Sequence, residues 1–585
     1  MKLRRLSLLF FALLAFGCGS RGQKTAETGS VPPEETQPAP APQNPTSIAA
    51  EEHQDLFTDI TEEAGIDFVH FNDASSRRYL PETMGSGATF FDYDGDGRPD
   101  LYLVNGAPLI GDRSHARSGM LSRNLDGRHF QDVTHSAGLD APIYGMGVAV
   151  GDFDNDGHLD LFISGVGGDR LYRNRGDGTF EDVTKQMGLT DAGFGSSAAF
   201  VDYDRDGYLD LFVGRYVQWT PGTDIPCSLD GVHKIYCTPE VYKGQTNRLY
   251  KKVGGRKFVD VTRASRIYYP EGKTLGVTVL DQNRDGWPDL AVANDTVRNF
   301  LFINNHDGTF SETGVVSGFA YSESGATRGG MGIDAGDVNG DGFDDVVVGN
   351  FAQEMSALYQ GTAKSYFVDE AAQTGIGVPT LMTLAFGTLF VDLDNDGWLD
   401  VAIVNGHIEP DIARVHPGQS YAQPLQFFRN VGSGRFQLIK GSKGGVFDTP
   451  LVGRGLAAAD IDGDGDLDLI VTQNGRKAIL LRNNTPPQSW IRLQFAGKVS
   501  NRTGYGTAVR AVAGKQSWTR MLVSGRSYLS ACEPVLTIGL GKIPGLDRLE
   551  ITWPSGITQT VENPPLNKLL TIEELTAQPK KSSTP

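Results

Sequence analysis

The chain has 585 residues, of which 53 are Lys or Arg and 71 are Asp or Glu, for a net charge of −18; this excludes phosphate backbones and anionic membrane surfaces as partners. Its length exceeds one compact domain, and a hydrophobic content of 39% suffices for a large core and excludes general disorder. The 73 glycines stand well above an average share of about 7%, so many turns are expected.

Met1-Lys2-Leu3-Arg4-Arg5 and the largely apolar run from Leu6 to Phe16 read as a secretory leader, too short to span a membrane. Ala15-Phe16-Gly17-Cys18 resembles a bacterial lipobox, which implies a leader over residues 1–18 and diacylation of Cys18. Residues 19–54 are rich in Pro, Thr, Glu and Gln without hydrophobic period and read as a disordered tether. Membrane contact is expected only through this lipid anchor, with the protein in the cell envelope or outside the cell.

A motif Asp-x-Asp/Asn-x-Asp-Gly-x-x-Asp then recurs seven times. Its polar positions are Asp92, Asp94, Asp96 and Asp100; Asp152, Asp154, Asp156 and Asp160; Asp202, Asp204, Asp206 and Asp210; and Asp281, Asn283, Asp285 and Asp289. The last three sets are Asp337, Asn339, Asp341 and Asp345; Asp392, Asp394, Asp396 and Asp400; and Asp460, Asp462, Asp464 and Asp468. Oxygens at positions 1, 3, 5 and 9 with Gly at 6 suit a hard cation that takes six to eight oxygen ligands, so up to seven Ca²⁺ ions are expected. Without a cation, acids packed this closely repel one another. An EF-hand needs Glu at position 12, where this chain has Leu103, Ile163, Val213, Val292, Val348, Ile403 and Val471.

Apolar strands such as Leu161-Phe162-Ile163 follow the loops, and small-residue strands such as Gly147-Val148-Ala149-Val150 precede them. A Phe-x-Asp-Ile/Val marker at Phe57, Phe130, Phe180 and Phe258, with weaker copies from Phe310, Phe367 and Phe436, completes a unit of four strands. The pattern predicts an all-β, seven-bladed β-propeller over residues 55–485, with the strand at Phe57 completing the seventh blade. Arg175-Gly176-Asp177 is the turn of one repeat rather than a recognition tripeptide.

Cys227 and Cys237 lie ten residues apart in a loop-like insert and, in an exported protein, are expected to form a disulfide. Zinc would need two more ligands, and His233 is the only neighbour. Cys532 is left over. From about Pro487, short strands separated by turn signals, at Trp490–Phe495, Thr507–Val512, Trp518–Val523, Val535–Ile538, Leu549–Trp553 and Leu569–Ile572, predict a small β-sandwich-like domain over 487–577. Residues 578–585 read as a disordered tail.

On the acidic loops together with Ser500-Asn501-Arg502, Gly539-Leu540-Gly541 and Trp553-Pro554-Ser555-Gly556, the chain resembles the bacterial cartilage-acidic-protein-like family. There, FG-GAP/VCBS-type propeller repeats precede a C-terminal ASPIC/UnbV domain. Pro81-Glu82-Thr83-Met84-Gly85, Asn405-Gly406-His407 and the cysteine insert also look like family features; Gly504-Tyr505-Gly506-Thr507 departs from an expected Ile-Gly-Ala-like run. The resemblance implies an exported calcium-binding protein and leaves its molecular activity open.

If every loop joins the first two strands of a blade, the metals share one face. The opposite face then carries a candidate ligand site of His70, Glu82, Asn294, Asp295, Arg328 and His407. Two readings follow: an adhesion or interaction module for a protein or glycan ligand, or an extracellular enzyme, for example polysaccharide-acting, using His70, Glu82 and His407. No nucleic-acid partner is expected.

Overall fold

In the computed structural model each acidic loop turns the chain between two antiparallel strands. Residues 56–576 are described, except 114, 115, 117, 118 and 229–232; the expected leader, Cys18, the tether and the C-terminal tail lie outside the described residues. The loop conformation explains its sequence. Positions 4 and 6 are left-handed: φ is 76° at Gly95 and 86° at Gly97, and 61° at Asn155 and 96° at Gly157. Gly fills position 6 in all seven loops because a Cβ is strained there.

The strands after and before the loops assemble into seven four-stranded antiparallel sheets among the described residues. Blades 1 to 7 begin with Ala88–Phe91, Gly145–Gly151, Gly195–Val201, Thr274–Leu280, Ile333–Gly336, Ala385–Val391 and Gly453–Ala459. These first strands touch their neighbours around a closed cycle, which makes them the crowded inner wall. Small residues are obligatory there: a Cβ on Gly332 would lie 2.1 Å from the Phe386 carbonyl oxygen of the next blade. Blade 7 takes its fourth strand, Phe57–Asp59, from the other end of the propeller, with Phe57 opposite Asn483. The ring therefore closes by strand pairing, as the phase of the repeat predicts, and leaves no open seam.

Each boundary between blades buries an apolar cluster, and the one between blades 2 and 3 is continuous with the core of the C-terminal domain. Polar staples reinforce the boundaries. The Asn174 side-chain amide donates to the Tyr93 carbonyl of the preceding blade at 2.8 Å, and Asn304, Asn430, Asn483 and Asn124 repeat this at other boundaries. The Phe-x-Asp marker is an outer strand ending in an Asx turn: Phe130 is buried, and Asp132 accepts the Thr134 amide and hydroxyl at 2.9 and 2.6 Å.

The C-terminal domain is a two-sheet sandwich. Ser489–Ala496 pairs with Leu536–Gly541 and, in parallel, with Leu569–Glu573. The other sheet orders Gln516–Met521, Ala508–Ala513, Arg548–Thr552 and Thr558–Glu562. The last strand is absent from the expected set. It is an edge strand with alternating exposed residues, Thr-Gln-Thr-Val-Glu, and carries little apolar signal.

Between the two sheets' strands, the segment from Val523 to Val535 leaves the sandwich and enters the centre of the propeller. The Leu529 carbonyl accepts from Val148, its amide donates to the Ser197 hydroxyl, Ser527 and Ile333 exchange backbone hydrogen bonds, and the Ala531 amide donates to Ala88. Tyr528 is fully buried, packs edge-on to Phe386, and donates to the Met84 carbonyl at 3.0 Å. The channel is plugged by the C-terminal domain.

Candidate metal centres and the buried distal face

All seven acidic loops lie between the first and second strands, hence on one face. At position 1 the Asp carboxylate always accepts the amide of the position 6 Gly, at 2.9 Å for Asp92 and Gly97 and 3.0 Å for Asp392 and Gly397. The position 9 carboxylate is buried and ties the loop to the blade. Asp100 accepts the Asn124 amide at 2.7 Å and the Tyr93 amide at 3.1 Å; Asp289, Asp345, Asp400 and Asp468 repeat the pair.

Carboxylate oxygens converge within 4.8 Å in five loops: Asp92, Asp94 and Asp96; Asp152, Asp154 and Asp160; Asp202, Asp204 and Asp206; Asp392, Asp394 and Asp400; and Asp460, Asp462 and Asp464. The loops of blades 4 and 5 carry Asn283 and Asn339 at position 3. Burial, then neighbouring acids among other causes, pushes the Asp152, Asp202 and Asp392 carboxyls up to about 7, and burial pushes Asp100 and Asp345 up to about 8. Buried oxygens of Asp154, Asp202, Asp204, Asp210, Asp392 and Asp394 have no hydrogen-bond partner. Buried, mutually repelling carboxylates with orphaned oxygens fit a hard cation, so several of these clusters could hold a metal ion.

The third strand supplies cations that the motif did not reveal. Arg123 lies 2.6 Å from Asp94 and Arg173 2.8 Å from Asp154, while Lys251 and Arg429 pair with Asp204 and Asp394. A visible signal exists in the recurring Arg-Asn pairs Arg123-Asn124, Arg173-Asn174 and Arg429-Asn430.

The opposite face gathers the six expected ligand residues in two groups, with all but the half-buried Arg328 buried. Glu82 is fully buried and accepts the Ser75 hydroxyl at 2.9 Å and the Tyr236 hydroxyl at 3.0 Å. His70 and His407 are buried, and burial together with Arg454 lowers them to about 3 and about 4. Arg454 itself donates to the carbonyls of Thr83, Gly406, Gly453 and His407. In the second group, Asn294 accepts the Lys273 amide, Asp295 accepts the Tyr216 hydroxyl at 2.7 Å, and Arg328 pairs with Asp369 at 2.8 Å.

Of the expected ligand face, His70, Glu82, Asn294, Asp295 and His407 are buried, whereas Arg328 is half-buried. The insert, where Cys227 and Cys237 are disulfide-bonded with Cα atoms 5.3 Å apart, packs beside Glu82 through Tyr236. Trp219, Cys237 and Tyr242 of the insert share one apolar cluster with Tyr528 and Leu529 of the plug. The insert's Tyr236 also donates its amide to Glu409, which pairs with Arg78 at 2.7 Å.

On the acidic face sits the C-terminal domain. Arg492 reaches Asp460 at 2.9 Å, Arg526 reaches Asp334 at 2.8 Å, the Arg502 amide donates to Asn155, and Arg520 donates to the Gly397 carbonyl. Sequence reasoning missed these residues because each lies far along the chain from its partner.

Among known proteins, the FG-GAP-like repeat model matches residues 92–163, 152–213, 281–348 and 392–471, and the ASPIC and UnbV model matches 497–579. Cartilage acidic protein 1 of Xenopus tropicalis is 29% identical over 305 residues, which cover 48% of this chain and 42% of that protein. The Homo sapiens protein is 27% identical over 297 residues, with the same two coverages. The chain thus spans less than half the length of these curated relatives. A solved structure of an Agrocybe aegerita lectin, described by its specific recognition of non-reducing terminal N-acetylglucosamine, aligns with a TM-score of 0.41 at 17% identity over 68% of this chain and 94% of the lectin chain. The exotype rhamnogalacturonan lyase YesX aligns with a TM-score of 0.30 at 15% identity over 83% and 90%. Scores this low are no basis for transferring a site.

Proposed function

Because the chain belongs to the cartilage-acidic-protein-like family, which joins FG-GAP-like repeats to an ASPIC and UnbV domain, we propose that it is an exported calcium-binding propeller that acts outside the cell as an adhesion or interaction module. The observation that carries this reading is the repeated loop geometry, with converging carboxylates in five blades and one backbone conformation throughout. Calcium suits the oxygen-only ligand set better than magnesium, which keeps several waters. The Cys227–Cys237 disulfide favours an oxidising compartment, and Cys18 would hold the mature chain to a bacterial membrane by lipid.

The working surface is the outside of the propeller and its C-terminal domain, since Val523–Val535 fills the channel and most of the candidate residues on the opposite face are buried. The enzyme reading has less support: His70, Glu82 and His407 are all buried. A glycan array and a pull-down, each run with calcium and with chelator, test the module reading. It expects calcium-dependent capture that survives His407→Ala and Glu82→Ala in folded protein. Turnover of a polysaccharide that is lost in those two variants would overturn it.

A further inference from the structure

We propose that the C-terminal domain completes the blade 7 cation centre: Arg492 and Glu533 are positioning residues for Asp460, so that cation binding there and docking of this domain reinforce each other. The proposal rests on the reading that the acidic loops hold cations.

Among the described residues, blade 7 is the loop whose first ligand carboxylate makes a direct ion pair. In the other loops, among the described residues, the ion pairs reach positions 3 and 5 from the third strand or the loop itself, as Arg123 does with Asp94 and Asp96; Arg520 of the C-terminal domain faces Asp392 and Asp337 but bonds the Gly397 carbonyl, and the Thr503 hydroxyl accepts only the Asp152 amide. In blade 7, Arg492 Nη1 donates to Asp460 Oδ2 at 2.9 Å, and both side chains are buried. The same guanidinium pairs with Glu533, whose Oε1 accepts the Asp460 amide at 3.1 Å. Arg492 and Glu533 therefore hold both the carboxylate and the backbone of the first ligand.

The oxygen that Arg492 takes decides the sign. In blades 3 and 6, Oδ2 of the first Asp accepts the position 6 Gly amide, and Oδ1 is the buried oxygen without a partner. In Asp460, Oδ2 likewise accepts the Gly465 amide at 3.0 Å. Asp460 Oδ1 accepts the Gly463 amide at 2.7 Å, as Asp92 Oδ1 accepts the Gly95 amide at 2.8 Å; Arg492 binds Oδ2 and leaves the second lone pair of Oδ1 for the centre, so it orients the ligand rather than replacing the ion. Blade 7 also holds more negative charge than its neighbours. Asp466 adds a further carboxylate at position 7; it is 8% exposed, and its Oδ1 has no partner. An outer partner that fixes a ligating carboxylate typically contributes 10–100-fold in metal affinity, and coupling of this kind is reciprocal.

Trp490 makes the site observable, because its ring packs against Gly465 of the loop. Terbium is titrated into the full chain, and the sensitised luminescence lost in Trp490→Phe is assigned to blade 7. In Arg492→Met the midpoint of that component should rise about 10–100-fold while the remaining components stay in place; Arg492→Lys should recover part of the shift. Hydrogen exchange of Ser489–Ala496 in the unmodified chain should quicken on chelation, a readout that needs no variant to fold. An unchanged or lower blade 7 midpoint in Arg492→Met, with terbium still bound at the other loops, would overturn the coupling alone. Absence of terbium binding in the unmodified chain would overturn the cation reading as well.

Discussion

Asp468 shows how one side chain serves the loop and the blade together. It accepts the Asn483 amide at 2.8 Å and the Ile461 amide at 3.1 Å, and it is almost fully buried. Asp468→Ala leaves two buried donors without acceptors and should cost about 2–5 kcal/mol, measured by denaturant unfolding. The carboxyls also set a pH dependence. Asp100 is pushed up to about 8, and Asp152 and Asp202 to about 7, chiefly by burial, from 3.8. A raised carboxyl makes the folded chain bind more protons than the unfolded one, so stability is lost as pH rises. In chelator, the melting temperature should therefore fall from pH 5 to pH 8, and saturating calcium should remove the fall. The loops were legible in the sequence because all their ligands lie within nine residues. Arg492 was not, because its partner Asp460 is reached only when two domains dock.

At the scale of elements, the plug is the feature that packing explains and sequence pattern does not. Ser524-Gly525-Arg526-Ser527-Tyr528-Leu529-Ser530-Ala531 has neither helical nor strand period, since its contacts come from several blades instead of one neighbouring strand. It fits because the inner wall is lined with small residues: a Cβ on Gly87 would lie 1.6 Å from the Leu529 carbonyl oxygen. Tyr528→Ala removes a buried ring and its hydrogen bond to Met84, and should destabilise the chain by about 3–5 kcal/mol. The same variant should expose Val523–Val535 to limited proteolysis. An unchanged melting temperature with no new cleavage would mean that the plug is not held in the channel. The blades themselves were readable from the Phe-x-Asp marker and the loop phase, whereas the edge strand Thr558–Glu562 was hidden by its polar alternation.

For the whole molecule, the net charge of −18 takes on a specific meaning. The ligand positions of the seven loops hold 26 of the 71 acids, so much of the acidity is ligand charge gathered on one face. Bound divalent cations and the arginines of the C-terminal domain would offset it there. If calcium in the loops is part of the fold, as proposed above, calorimetric melting of the full chain in chelator and in calcium will report it. Because an ion bound only by the folded state stabilises it by mass action, about 2.7 kcal/mol for each site at a hundredfold excess over Kd, the melting temperature should rise strongly with calcium. A melting temperature indifferent to both chelator and calcium would contradict it.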